Sequence, residues 1–257
     1  MAGAAHHTNG TPDSVRVTNR AGKGAYVLTC DHASNFMPPE FGTLGLAPSE
    51  LDRHIAWDPG ALSVARKMAA ALDATLIETR ISRLVLDCNR ALDAPGLVPL
   101  VSETTVIPGN DGLSGQDRQA RIVRCWQPFH DAIGSVIEER LGRGQETRLV
   151  SIHSFTPVYK GVDRPWQIGV IHDDDTRLAL PLIGALNGVV GLNVGANQPY
   201  SPADGVYFTL EHHARSRNLP CAMIEIRNDE VADEAGCRRW AELLATLLGQ
   251  VRIGEDA

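Results

Sequence analysis

The chain has 257 residues, 43% hydrophobic and 21% charged, with a formal net charge of −7 at pH 7. A chain of this size can bury one substantial core, and its acidic balance excludes general attraction to nucleic acid or to an anionic membrane. No apolar stretch approaches the ~20 residues that span a bilayer, and the first twenty residues lack the charged-then-apolar pattern of a signal peptide. The expectation is therefore a cytoplasmic protein with neither nucleic-acid nor membrane partners; its oligomeric state cannot be read from the sequence.

Residues 1–20 read as a flexible terminus, in which His6-His7 is a metal-capable pair that nothing orders, and 21–257 as one domain. Tyr26–Cys30 is a buried strand that stops on Asp31-His32, and the loop from Ser34 to Gly45, with Pro38-Pro39, suits the rim of a site. Ser49 reads as the N-cap of a short helix through His54. Asp58-Pro59 reads as the cap and first position of a longer one carrying Leu62, Ala65, Met68, Ala69 and Leu72. Strands follow at 75–78 and 83–88, the second ending in Asp87-Cys88-Asn89-Arg90. The Pro- and Gly-rich stretch 93–115 has the length of a lid or binding loop.

From 114 to 141 the pattern is that of a long amphipathic helix that Pro128 interrupts. A strand at 148–153 stops on His153-Ser154, and another spans 167–172. Helices at 175–188, 206–218 and 233–251 flank a glycine- and asparagine-rich stretch and the strand at 221–226. Strands alternating with helices predict an α/β fold, a three-layer αβα sandwich with a mixed, largely parallel central sheet.

In open α/β sheets ligands gather beyond the carboxyl ends of parallel strands, and three such ends here carry His32, His153 and Glu225. Two neutral imidazoles and a carboxylate can hold Zn²⁺, and another carboxylate can take a proton from the water it activates. Asp58 is the candidate third ligand, although a helix cap explains it equally well, and Asp31 competes for the place. Asn89 and Arg90 can recognise a substrate carboxylate, with Asp87 orienting the guanidinium or forming an internal ion pair with it. Glu225 and Arg227 share a strand face by period-two alternation, which suits either a general base or an Arg-paired structural carboxylate. Asn197-Gln-Pro-Tyr200 is explained by a turn, and His54, His130 and His213 by helix positions.

The five cysteines never form a Cys-x-x-Cys pair and read as reduced, mostly buried thiols, with Cys30 or Cys88 leaving a cysteine hydrolase open. There is no Gly-x-Ser-x-Gly elbow, phosphate-binding glycine loop, Rossmann glycine pattern or His-Glu-x-x-His helix.

Seven ordered segments together resemble the N-formylglutamate amidohydrolase family: Cys30-Asp-His-Ala-Ser-Asn35, Asp58-Pro-Gly-Ala61, Ser82-Arg-Leu-Val-Leu-Asp-Cys-Asn-Arg90, Ile152-His-Ser-Phe155, Asn197-Gln-Pro-Tyr200, His213-Ala and Ile224-Glu-Ile-Arg-Asn-Asp229. They run from about Ala25 to Asp229. The resemblance implies an αβα fold related to zinc carboxypeptidases and aspartoacylases, and hydrolysis of a linear amide on a small acidic N-acyl amino acid. The family substrate is N-formyl-L-glutamate, giving formate and L-glutamate.

The same resemblance implies a metal ligand at His153, a carboxylate-binding pair at Asn89-Arg90 and a catalytic glutamate at Glu225; with the residue reading, the expected site holds Zn²⁺ or a similar divalent metal on His32, His153 and Asp58, with Arg227 binding a carboxylate or stabilising charge. It further implies substrate binding by Asn89, Arg90, Ser154, Asn197, Tyr200 and His213. Carboxypeptidases carry a glutamate ligand three residues after the first histidine. Asn35 stands there here, so the third ligand has to come from elsewhere. A non-catalytic small-anion-binding protein on the same scaffold is the alternative to an enzyme.

Overall fold

Short aliphatic and β-branched runs form the central strands because they are buried on both faces, the usual condition of a parallel sheet covered by helices. In the computed structural model, which describes residues 13–253, β1 (Val15–Thr18), β2 (Tyr26–Cys30), α1 (Pro48–Leu51), α2 (Ala61–Ala71), β3 (Thr75–Thr79), β4 (Val101–Ser102) and β5 (Thr105–Val106) come first. They are followed by α3 (Gly115–Arg121), α4 (Gln127–Gly142), β6 (Arg148–Phe155), β7 (Val158–Tyr159), β8 (Val162–Asp163) and β9 (Ile168–Ile171). The chain then forms α5 (Ala179–Asn187), β10 (Val194–Ala196), α6 (Phe208–His213), β11 (Cys221–Arg227) and α7 (Glu234–Gln250).

Seven strands make one mixed sheet in the order β1-β3-β2-β6-β11-β9-β10. The β3-β2-β6-β11 run is parallel, β1 and β3 are antiparallel, β9 is antiparallel to β11, and β10 is parallel to β9. β4-β5 and β7-β8 are separate two-stranded hairpins. Alternate strand residues feed two apolar layers. Leu28, Leu76, Val150, Ile152 and Ile224 pack with α2, α5 and α7 through Val64, Met68, Leu182, Trp240 and Leu244. Val27, Ile77, Leu149 and Met223 pack on the opposite face with Phe129, Ile133 and Ile137 of α4 and Leu210 of α6. These are the three layers of the expected αβα sandwich.

Several local expectations need correction. The segment 83–88 is not a strand: Leu84, Val85 and Leu86 are buried in turns with no ladder partner, so their apolar run reflects burial alone. Ser49 does not cap α1, whose N-cap is Ala47. Asp58-Pro59 does not open α2 either. That helix starts at Ala61 behind Gly60, whose φ of 82° is left-handed and which packs so closely on Val231 that a Cβ would lie 2.5 Å from its carbonyl oxygen. The stretch 93–115 contains the β4-β5 hairpin.

The helix expected over 114–141 runs as α3, a π-helical stretch at Ile122–Trp126 and α4, with helical dihedrals across both junctions, and Pro128 lies just after the π-helical stretch, in the first turn of α4. The helices expected at 175–188 and 206–218 are shorter, ending up as α5 and α6. Part of the expected flexible terminus 1–20 forms β1, while His6-His7 lies outside the described residues. Among the described residues no helix is long and apolar enough to cross a membrane.

Candidate active site

β2 delivers Asp31-His32 to the carboxyl edge of the sheet, and its parallel neighbour β6 carries His153 there. The next parallel strand, β11, sets Glu225 directly across from His153 in the ladder. Adjacent strands in register point opposed residues to the same face, so the base candidate and the imidazole look into one space. On its other side Glu225 is opposed to Gly169 of β9. A Cβ there would lie 1.8 Å from the Gln198 carbonyl oxygen, so the missing side chain lets the Gln198–Tyr200 segment lie against the sheet.

The backbone N–H of Asp58 donates to the His32 carbonyl at 2.9 Å, holding the loop before α2 over the strand ends. The Asp58 carboxylate is then 2.8 Å from His153 Nδ1 and 3.3 Å from His32 Nδ1 through a single oxygen, Oδ2. The two imidazole rings are 5.0 Å apart, at 70° to one another. One ligand-capable atom from each of His32, Asp58 and His153 lies within 4.8 Å of the others, and all three residues are buried.

Both Nε2 atoms point away from this centre to fixed acceptors. His32 Nε2 is 2.7 Å from Asp87 Oδ1, and His153 Nε2 is 2.8 Å from Ser151 Oγ and 3.2 Å from Asp31 Oδ2. An imidazole that donates one N–H to a buried carboxylate offers the other nitrogen's lone pair to a cation, and the carboxylate fixes the ring's tautomer and plane. Two such imidazoles with an anionic oxygen between them are the donor set of a catalytic zinc site. Asp31, the competing ligand candidate, is therefore behind His153 rather than beside Asp58; its carboxylate also takes the Ser151 hydroxyl at 2.6 Å and the Thr209 hydroxyl.

Charge in this pocket is strongly coupled. Burial opposes ionisation of Asp58, but His32 and His153 outweigh it and hold its pKa below the usual carboxylate range. Burial also disfavours imidazolium at His153, yet the hydrogen bonds it donates to Asp31 and Asp58 prevail and raise its pKa well above the ordinary value in the metal-free protein, so a cation between the rings would displace the Nδ1 hydrogen. Glu225 differs: burial, only partly offset by His153, pushes its pKa up to about 7. Its Oε2 is buried without a hydrogen-bond partner.

A cavity of about 250 Å³ opens over this centre, lined by His32, Asp58, His153 and Glu225 together with Arg83, Asp87, Asn89, Arg90, Ser154 and Tyr200. Asp87 is its organiser. One oxygen takes His32 Nε2 and the Asn89 N–H, and the other takes Arg83 at 2.6 Å and faces Arg90 Nε at 3.7 Å. Asn89 is braced by α6 and the residues before it: its Oδ1 accepts the Thr209 N–H at 2.9 Å and its amide donates to the Val206 carbonyl. Arg90 donates to the Gly205 carbonyl. Ser154 Oγ donates to the Pro59 carbonyl at 2.8 Å, and Tyr200 OH accepts from Arg164 at 3.0 Å.

Three of the expected site residues lie elsewhere. Arg227 turns from the cavity to Asp229 at 2.8 Å and Glu230 at 3.5 Å, because β11 ends at that residue and the following turn supplies both carboxylates. Asn197 accepts the His172 N–H at 2.9 Å and serves its own loop. His213 packs with His130 and His212 on α4 and α6, away from the cavity. Asn35, three residues after His32, donates to the Leu51 carbonyl at 3.0 Å and takes no part.

Conversely, neither the part played by Arg83 nor the hydrogen bond from His32 to Asp87 is legible in the sequence; Arg83 falls in a segment that reads as a strand, with only its spacing to Asp87 as a signal. His54, expected to be a helix-surface group, lines the cavity mouth 3.4 Å from Glu103 of the turn joining β4 to β5. Cys30 and Cys88 are buried, and burial raises both thiols well above their ordinary pKa, which removes the thiolate that cysteine catalysis needs.

The model of the family described as N-formylglutamate amidohydrolase matches residues 24–232. A crystal structure of a gene product from Agrobacterium tumefaciens is similar over 93% of this chain and 95% of its own, with 45% identity and a TM-score of 0.91. A crystal structure of an N-formylglutamate amidohydrolase from Ralstonia eutropha is similar over 92% and 96%, with 20% identity and a TM-score of 0.70, a likeness of fold. No curated protein gives a significant match.

Proposed function

The chain belongs to the N-formylglutamate amidohydrolase family, and from that premise we propose that it is a metal-dependent hydrolase of the linear amide in a small acidic N-acyl amino acid. N-formyl-L-glutamate, giving formate and L-glutamate, is the substrate the family name points to. The observation that carries the metal-dependent reading is the convergence of His32 Nδ1 and His153 Nδ1 on Asp58 Oδ2, with both Nε2 atoms anchored on buried acceptors.

His32, His153 and Asp58 would hold the ion, and Zn²⁺ fits this nitrogen and oxygen donor set. Such an ion supplies Lewis acidity, polarising the amide carbonyl and lowering the pKa of a water. Glu225 takes a proton from the attacking water through its unpartnered Oε2 and passes it to the leaving nitrogen. Burial raises this carboxyl to about 7 in the metal-free protein, and a bound cation beside it would favour the ionised, proton-accepting form.

Arg83, held by Asp87 and 3.5 Å from Asp58 Oδ1, presents fixed positive charge to the oxyanion that develops on the former carbonyl oxygen, a role typically worth ~3 kcal/mol. Arg90 binds a substrate carboxylate, with Asn89 keeping the adjacent backbone in place and Tyr200 and Ser154 closing the cavity wall. Formate release from N-formyl-L-glutamate by metal-stripped and Zn²⁺-reloaded protein tests the proposal. Activity should vanish on stripping and return on reloading, and reloaded protein that hydrolyses no N-acyl acidic amino acid would leave the anion-binding alternative.

A further inference from the structure

We propose that His130, His212 and His213 form a second metal site, separate from the His32, Asp58 and His153 set, which takes an imidazole-preferring divalent ion such as Zn²⁺ and ties α4 to α6. One ring nitrogen from each of these three histidines lies within 4.8 Å of the others. His130 and His213 are buried, while His212 is exposed and gives the cluster a route to solvent.

The His130 tautomer is already set for ligation. His130 Nε2 is 2.9 Å from the Cys88 carbonyl, which can only accept, so that nitrogen carries the hydrogen and Nδ1 carries the lone pair. This lone pair accepts the His213 Nε2 hydrogen at 2.9 Å in the metal-free protein. Two nitrogens bound to one tetrahedral zinc at ~2.0–2.1 Å stand roughly 3.3 Å apart, so an ion would replace that hydrogen, which passes to His213 Nδ1, while the two rings part slightly and turn their lone pairs onto it. His213 Nδ1 is buried with no hydrogen-bond partner, and no second anchor locks that ring's tautomer. Trp126 lies 4.0 Å from the His130 ring and Phe208 is stacked 5.2 Å from His212, forming an aromatic wall around the cluster.

The ion would act on more than two helices. Thr209, on α6 with His212 and His213, donates its N–H to Asn89 and its hydroxyl to Asp31. Fixing α6 against α4 therefore braces the residues behind Arg90 and His153. This role does not depend on the proposed hydrolase activity.

The test is a titration of chelator-stripped full-length protein with Zn²⁺ alone, in competition with a chromophoric chelator, for wild type, His212→Ala, Asp58→Asn and the double variant. His212 is exposed, so its replacement leaves the fold intact, which circular dichroism checks. Wild type should show a second equivalent whose affinity is weakened at least tenfold in His212→Ala. Zn²⁺ should raise the Tm of Asp58→Asn and not that of the double variant. A His212→Ala titration indistinguishable from wild type overturns the second site. An equivalent that depends on His212 alongside none that depends on Asp58 would uphold it while removing the metal from the hydrolase proposal.

Discussion

Glu225 and His153 are opposed in the parallel β6-β11 ladder, so the proposed base and an imidazole of the proposed metal centre share one strand pairing and move only together. Few arrangements hold two reacting groups more firmly, since both sit in the interior of the seven-stranded sheet rather than on loops.

Replacing Glu225 by Gln keeps the shape and removes the proton acceptor. The expected outcome is a fall in kcat of ~10²–10⁴-fold with Zn²⁺ content unchanged, measured by formate release and metal analysis. Retention of more than a tenth of wild-type kcat would exclude Glu225 as the base.

The same substitution changes how stability depends on pH in metal-free protein. Burial pushes the Glu225 carboxyl up to about 7 in the folded chain from its ordinary 4.5, so between these values the folded state keeps a proton the unfolded state has lost. Ionising the buried carboxyl therefore costs stability as pH rises through this window, up to roughly 3 kcal/mol. Glu225→Gln should gain on wild type between pH 5 and 8 in paired urea melts, and a constant difference across that range would contradict the burial argument.

Asp87→Asn leaves His32 Nε2, Arg83 and Arg90 without their shared carboxylate. Loss of such an outer partner typically weakens metal binding ~10–100-fold. Zn²⁺ competition titration should show that weakening, together with a higher KM because Arg90 is no longer oriented.

Arg90→Ala should raise KM for an acidic N-formyl amino acid by roughly 10–100-fold, the loss of a charged hydrogen bond. Steady-state kinetics with a neutral N-formyl amine provides the control: an equal loss there would mean that Arg90 supports the fold and not carboxylate binding.

Arg227→Ala should leave kcat within about threefold of wild type and lower Tm, since this side chain fastens the end of β11 to Asp229 and Glu230 outside the cavity. The size of a surface ion pair, ~0–1 kcal/mol, bounds the direct electrostatic share of that loss.

The sequence made the layers and the three strand ends legible because a buried parallel strand is an uninterrupted apolar run, and polar residues at its end stand out. The same rule misread 83–88, where Leu84, Val85 and Leu86 are equally apolar but buried by turns. Asp58 was ambiguous for a local reason: Asp-Pro is sufficient to explain a helix start, and only the shift of that start to Ala61 behind Gly60 frees the carboxylate for two histidines. β1 escaped notice as a four-residue edge strand. Period-two alternation put Arg227 on the face of Glu225 but carries no information about a strand that ends there. The link from His32 to Asp87 spans 55 residues, a separation at which local pattern is silent.

Gly169 limits how this cavity can be remodelled. Because the Gln198 carbonyl occupies the place of its side chain, any larger residue there drives the Tyr200 wall outward before it touches Glu225. The sheet side of the cavity is thus closed to gradual enlargement, and room for a bulkier acyl group has to come from the opposite rim. There the β4-β5 turn and hairpin contribute Val101, Ser102 and Glu103, and the β7-β8 hairpin Tyr159. Substrate range in relatives built on this plan should therefore follow the length and composition of those two hairpins, with position 169 held to glycine wherever the segment before Tyr200 keeps its course.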